Sequence, residues 1–257
     1  MGAVQKIVIV VPCYNEALRL DERDFAALLA HPEVQLSFVD DGSTDGTADL
    51  LLALAARYRE KIHTLQLSQN RGKAEAVRRG MLDALASGAQ VVGYMDADAS
   101  TPASEVLRLL DALERPHAEV VLGARVQLLG SDVRRHRWRH YLGRIFASAA
   151  SVVLELAVYD TQCGAKVFRD TPTLRHALAS PFHSRWVFDV ELLGRLLLGG
   201  PGVPSLGPEA FVEVPLHEWR DVPGSKLKPT SMLRSGIELL AIGRGLRRAR
   251  ARQKRSL

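Results

Sequence analysis

The chain has 257 residues, 47% hydrophobic and 25% charged, with a formal net charge of +5. That balance suits a soluble protein of one large or two small domains with a full core, and it excludes disordered and fibrous classes. Only Cys13 and Cys163 are present, far apart and without metal-ligand spacing, which excludes a disulfide framework or a zinc site.

The N-terminus passes almost directly into the apolar run Ile7 to Val11, with no charged region ahead of a long apolar stretch, so no signal peptide is expected. A reducing cytosol is the simplest compartment. No run of 18 apolar residues occurs, so no membrane span is expected. Strand-like and helical segments then alternate: strands at Ile7 to Val11, Leu36 to Val39, Ile62 to Leu67 and Val91 to Met95, with helices near Asp24 to Leu29, Asp45 to Tyr58 and Lys73 to Leu85. Strands separated by helices of this length imply parallel strands joined by right-handed crossovers, hence an α/β fold with an open, mainly parallel sheet. In such sheets ligands bind beyond the carboxyl ends of the strands. The distinctive polar residues stand just there: Pro12-Cys13-Tyr14-Asn15-Glu16, Asp40 to Asp45, Asn70-Arg71-Gly72-Lys73 and Asp96-Ala97-Asp98. Four strand ends therefore converge on one crevice.

Each segment carries its own chemistry. Two carboxylates one residue apart, Asp96 and Asp98, suit one hard divalent cation, Mg²⁺ or Mn²⁺, completed by substrate phosphates. Taken alone, the same residues also open a turn before Pro102. Asp41 to Thr47 reads as a turn and a capped helix beginning near Ser43 to Asp45, which leaves Asp41 free to accept from the N–H donors of a nucleobase. Asn70 to Lys73 places Arg71, Lys73 and a helix N-terminus where an anion is favoured, although a plain helix start explains it equally. There is no Gly-x-Gly-x-x-Gly after the first strand and no Walker sequence, which argues against a dinucleotide oxidoreductase or an ATPase.

Further along, arginines gather in two clusters: Arg134, Arg135, Arg137, Arg139 and Arg144, and Arg244 to Arg255. Ile145 to Leu156 follows the first cluster and is too short to span a bilayer; it reads as a membrane-facing acceptor side or as a buried core helix. Met232, Leu233, Ile237, Leu239, Leu240, Ile242 and Leu246 precede the second at helical spacing. A basic amphipathic helix results, suited to resting on an anionic membrane or to packing on its own domain. No nucleic-acid motif accompanies the basic runs and aromatic residues are few, so no nucleic-acid partner is expected. With no linker or internal repeat, the chain reads as one catalytic domain over residues 1–229 and a C-terminal basic helix over residues 230–257.

In order and spacing, these motifs resemble glycosyltransferase family 2, whose members are inverting enzymes of the GT-A (nucleotide-diphosphosugar transferase) fold; the resemblance runs from Val8 to about Pro229. Within the family, Gly123-Ala124-Arg125, Asp160 to Phe168, Arg185 to Glu191 and Gly224-Ser225-Lys226 are most similar to dolichyl-phosphate β-glucosyltransferases and their bacterial polyprenyl-phosphate relatives. The resemblance implies that Pro12, Tyr14 and Glu16 line a nucleoside pocket, that Asp41 bonds the base, and that Asn70 and Lys73 help hold the donor. Asp96 and Asp98 would hold Mg²⁺ or Mn²⁺ and the donor diphosphate. Arg125 and Lys226 are candidates for donor or acceptor phosphates, against a reading as solvated surface charge. Gln162 and Lys166 would sit beside the acceptor or sugar, unless they form the polar face of a strand.

After the acidic pair, mannosyl-phosphate-lipid synthases tend to have Leu-Gln, whereas this chain reads Ala99-Ser100-Thr101-Pro102. That departure favours UDP-glucose as donor over GDP-mannose. A hydroxyl acceptor would need a general base, for which Asp189 or Glu191 is the candidate. A lipid monophosphate would not, and the two acids would then organise the site or a basic neighbour, or be polar residues of an amphipathic helix running to Leu198. The expectation is transfer of glucose from UDP-glucose to a polyprenyl or dolichyl phosphate, by an enzyme peripheral to the cytoplasmic face of the membrane. The alternatives are a GDP-mannose-dependent mannosyltransferase, transfer to a hydroxyl, and a non-catalytic nucleotide-sugar binding module.

Overall fold

A computed structural model describes residues 5–133, 137–220 and 229–253. Its strands are β1 (Ile7–Cys13), β2 (Val34–Asp40), β3 (Ile62–Gln66), β4 (Val91–Tyr94), β5 (Val120–Ala124), β6 (Asp132–Val133), β7 (Lys166–Arg169), β8 (Phe211–Pro215) and β9 (Glu218–Trp219). Its helices are α1 (Ala26–Ala30), α2 (Thr47–Arg57), α3 (Lys73–Ala86), α4 (Ala103–Leu113), α5 (Arg137–Leu154), α6 (Pro172–Ala179), α7 (Phe188–Leu198) and α8 (Pro229–Gln253). Seven strands make one sheet in the order β3-β2-β1-β4-β7-β5-β8, while β6 and β9 pair separately. β7 alone runs antiparallel to its neighbours β4 and β5. The sheet is thus the expected mainly parallel one.

Period-2 alternation sends Ile7, Ile9 and Val11 to one face of β1, and Val8 and Val10 to the other. Both faces are covered, which explains why the strand is an unbroken apolar run. One face packs on α1, α2 and α4 through Leu28, Leu51, Val106 and Leu109. The other packs on α3, α6 and α7 through Val77, Met81, Leu174 and Leu193.

Three local readings change in the structure. The helix expected near Asp24 to Leu29 is a 3-10 turn over Glu22–Phe25 followed by the single turn of α1. α2 starts at Thr47 rather than near Ser43, because Asp45 spends its carboxylate on the Thr47 N–H at 2.9 Å and holds the preceding residues as a loop. α7 is not amphipathic: Asp189 and Glu191 are each only 5% exposed, because the helix is enclosed by α5, α6 and α8.

α8 lies against α5 and α7 and adds Leu239, Ile242 and Leu246 to the second core. Among the described residues no helix is long and apolar enough to cross a membrane. Arg134, Arg135 and the Gly224-Ser225-Lys226 segment lie outside the described residues.

Candidate functional site

The carboxyl ends of β1 and β2 are laced together by short polar side chains. Asn15 donates its N–H to Ser43 Oγ at 3.0 Å and accepts the Thr44 N–H at 2.9 Å, and the Glu16 N–H reaches Thr47 Oγ1 at 2.8 Å. Pro12 and Tyr14 are half-buried beside them, and Glu16 is paired with Arg19 at 2.6 Å.

Asp41 differs from expectation. It is 3% exposed, and its two carboxylate oxygens accept the N–H groups of Arg71 and Gly72, both at 2.8 Å. Burial raises its pKa while the two N–H bonds pull the other way. A carboxylate removed from water must find donors, and here the backbone of the next loop supplies them. Instead of standing free for a base, Asp41 fastens the loop that carries the exposed Asn70.

That fastening sets the start of α3, where Lys73 forms an ion pair with Asp96 across the crevice, each side chain 29% exposed. Burial works against the Lys73 charge, but the carboxylates of Asp96, Asp189 and Asp98 together outweigh it and the pKa is raised. Asp98, two residues on, accepts the Ser100 N–H at 3.0 Å before Pro102 and α4. The loop ahead of β7 closes against this pair. A methyl group on Gly164 would collide with the Asp96 carboxylate, so only glycine permits the approach.

Asp96 and Asp98 are hard oxygen donors in a partly open position, which fits Mg²⁺ or Mn²⁺. Among the described residues no group of three or more His, Cys, Asp or Glu side chains is placed to hold a metal. A site built on these two carboxylates would be completed by further oxygen ligands, such as water and substrate phosphates.

Directly beneath lies a buried charged network. Lys166 is 0% exposed; its Nζ donates to Asp189 Oδ1 at 2.6 Å and to the Cys163 carbonyl at 2.5 Å. The Tyr94 hydroxyl donates to the same Asp189 oxygen, and burial pushes its pKa well above the usual value, so it stays a donor. Lys166 therefore does not sit exposed beside a sugar or acceptor, because antiparallel pairing with Tyr94 turns it into the interior. Asp189 is committed to it.

Glu191 is directed elsewhere. Its oxygens hold the His183 N–H at 2.9 Å and Arg195 at 2.7 Å. Residues two apart on a helix stand about 200° apart, so Asp189 and Glu191 cannot both face one site.

Arg125 is likewise engaged: Nε and Nη2 meet the two Asp160 oxygens at 2.7 and 2.9 Å, with the Trp219 ring 5.5 Å away. Burial opposes its charge, but Asp160 more than compensates and raises its pKa. Asp160 in turn presents its N–H to Glu213 at 2.7 Å. Sequence reasoning missed Tyr94, Asp160 and Glu213 as partners; Asp160 opens a motif noticed in sequence, but its pairing with Arg125, 35 residues away, exists only in the fold. Gln162 donates its N–H to Asp160 at 3.1 Å, while its Nε2 and the Thr161 hydroxyl are buried with no hydrogen-bond partner among the described residues.

Residues 8–175 match Glycosyl transferase family 2. The dolichyl-phosphate beta-glucosyltransferase of Dictyostelium discoideum is 32% identical over 238 residues, covering 87% of this chain and 69% of that protein. The polyprenol monophosphomannose synthase of Mycolicibacterium smegmatis is 29% identical over 210 residues, covering 81% of this chain and 78% of that one. A crystal structure of glucosyl-3-phosphoglycerate synthase from Mycobacterium tuberculosis, in complex with Mn²⁺, UDP and glucosyl-3-phosphoglycerate, superposes with a TM-score of 0.65 at 20% identity, covering 93% of this chain and 80% of that one.

Proposed function

This chain belongs to glycosyl transferase family 2 and is a glycosyltransferase of the GT-A fold, and from that premise we propose that it transfers glucose from UDP-glucose to a polyprenyl phosphate, with inversion, at the cytoplasmic face of a membrane. The observation that carries the acceptor class is the commitment of both candidate bases: Asp189 to Lys166 and Tyr94, Glu191 to Arg195 and His183. A hydroxyl acceptor needs a base to take its proton. A phosphate monoester, with a second pKa near 6, is largely dianionic at neutral pH and is already a nucleophile. It needs placement and charge screening instead.

The chain's own residues divide this work. Asp96 and Asp98 would hold Mg²⁺ or Mn²⁺, which when bound supplies positive charge to the diphosphate as it departs. Lys73, held beside Asp96, adds a cation on the α3 side of the same leaving group. Thr161 and Gln162 bring unpaired polar atoms, and a sugar's hydroxyls are partners of the right kind for buried groups that are costly to leave unsatisfied. Lys166 and Asp189 act from below by fixing the Cys163 carbonyl and thus the loop pressed on Asp96.

Incubating the protein with radiolabelled UDP-glucose and undecaprenyl or dolichyl phosphate in Mg²⁺ or Mn²⁺ should yield label extractable into organic solvent, and a chelator should stop it. Label carried only from GDP-mannose moves the donor assignment; label that stays in water-soluble products refutes the lipid acceptor.

Ile145 and Val152 on α5 are 68% and 71% exposed, and Ile237 and Leu240 on the adjoining α8 are 63% and 59% exposed. Arg244, Arg247 and Arg248 are exposed farther along α8. Apolar side chains with flanking arginines suit an anionic membrane surface, the arginines adding about 1 kcal/mol each near the lipid. The double variant Ile237→Glu/Leu240→Glu should float with phosphatidylglycerol vesicles at least about tenfold less well than wild type. Equal flotation would remove this face from membrane docking.

A further inference from the structure

The segment between α6 and α7 carries side chains that the transfer described above leaves unused. Ser184, 2% exposed, accepts the N–H groups of Trp186 at 3.2 Å and Val187 at 2.7 Å, and donates to Glu238 of α8 at 2.5 Å. The backbone on both sides of Arg185 is thereby pinned, with one anchor at the start of α7 and one on the C-terminal helix.

From that support the Arg185 stem lies over Gly72. A methyl group built on Gly72 would stand 3.1 Å from Cδ and 3.2 Å from Cγ of Arg185, and Gly72 has a φ of 93°, which favours glycine. Gly72 immediately precedes Lys73, whose amine is paired with Asp96. The positive charge of Arg185 is also felt at Asp41, whose carboxylate holds the Gly72 N–H. Arg185 thus sits at the corner where the clamped loop meets the start of α3.

Three arginines held within the fold spend their donors internally: Arg125 on Asp160, Arg78 on Glu75 and Leu178, Arg195 on Glu191 and three carbonyls. Arg185 is exposed and makes no hydrogen bond or ion pair among the described residues. A guanidinium with its stem packed and its fork unspent is preorganised for a phosphate oxygen, to which it can bond in bidentate fashion.

We propose that Arg185 is a further donor-binding residue, its guanidinium taking a phosphate oxygen of the nucleoside diphosphate opposite Lys73, with the Ser184–Glu238 bond as the positioning contact. The proposal rests on the glycosyl-transfer reading. The donor, rather than the acceptor phosphate, is the anion concerned, because Lys73 joins this corner directly to the Asp96 carboxylate.

The test is calorimetric titration of the full chain, with Mg²⁺ or Mn²⁺, using whichever of UDP and GDP the wild type binds and the corresponding nucleoside. Arg185→Ala should weaken the diphosphate at least about tenfold and leave the nucleoside unchanged, with Arg185→Lys recovering part of the loss. Glu238→Ala should weaken the diphosphate less, and should add nothing in the Arg185→Ala background. Equal diphosphate binding by wild type and Arg185→Ala overturns the proposal. Fully additive losses overturn the positioning role of Glu238. A wild type that binds neither diphosphate sinks the underlying reading, which is a different result from equal binding.

Discussion

Asp98→Ala should stop transfer while leaving the protein folded: turnover should fall by roughly a thousandfold or more, the scale of losing several kcal/mol of charge stabilisation in the transition state. Asp98 is the cleaner of the two acids to remove. Among the described residues its one hydrogen bond is from the Ser100 N–H, in a loop at the rim of the sheet, so its loss should cost little stability. Asp96 is paired with Lys73, and its removal would strand a partly buried ammonium and confuse lost catalysis with a disturbed site. Wild type treated with chelator should fall to the level of Asp98→Ala, and chelator should do nothing further to the variant. The measurement is lipid-linked label per minute, beside a thermal melt of both proteins. Activity above about a tenth of wild type in Asp98→Ala would mean that the diphosphate is held elsewhere.

The second large effect concerns stability. Among the described residues, Lys166→Met would leave Asp189 with the Tyr94 hydroxyl as its one hydrogen-bond partner, at a position where Lys166 is wholly buried. Removing one partner of a buried ion pair costs about 3–5 kcal/mol, because the other charge remains uncompensated. For a chain of this size that lowers Tm by roughly 10 °C. Replacing both partners with apolar residues, Lys166→Met with Asp189→Leu, should recover most of that loss, since a well-packed apolar pair is often as stable as the ionic one. Turnover should not recover with it. The Cys163 carbonyl would have lost its donor, and the loop that brings Gly164 against Asp96 would have lost its tie to the core. A double variant that regains both melting temperature and turnover refutes a positioning role for the network and leaves it a purely structural pair.

Several site features were legible because they depend on neighbours in sequence. Asp96 and Asp98 lie one residue apart after an apolar run, and the pleat that ends β4 delivers them to the sheet rim whatever the rest of the chain does. Alternating strands and helices likewise imply parallel crossovers and a shared crevice, and the structure has that sheet. The antiparallel β7 was not legible. Four residues of strand between loops carry no signal of direction, yet that direction decides that Lys166 meets Tyr94 and points inward.

The sequence by itself determined the family, the α/β architecture and the acidic pair, since each rests on local pattern: hydrophobic period, strand-end polarity and motif spacing. Only the tertiary structure decided how each charged group is used. Asp41 became a clamp for Arg71 and Gly72, Arg125 closed on Asp160, Asp189 was given to Lys166, and Arg185 was left with its donors unspent over Gly72. The reason is that a charge removed from water must find its partner in space. Those partners lie 23 to 35 residues away along the chain, where no periodicity reaches.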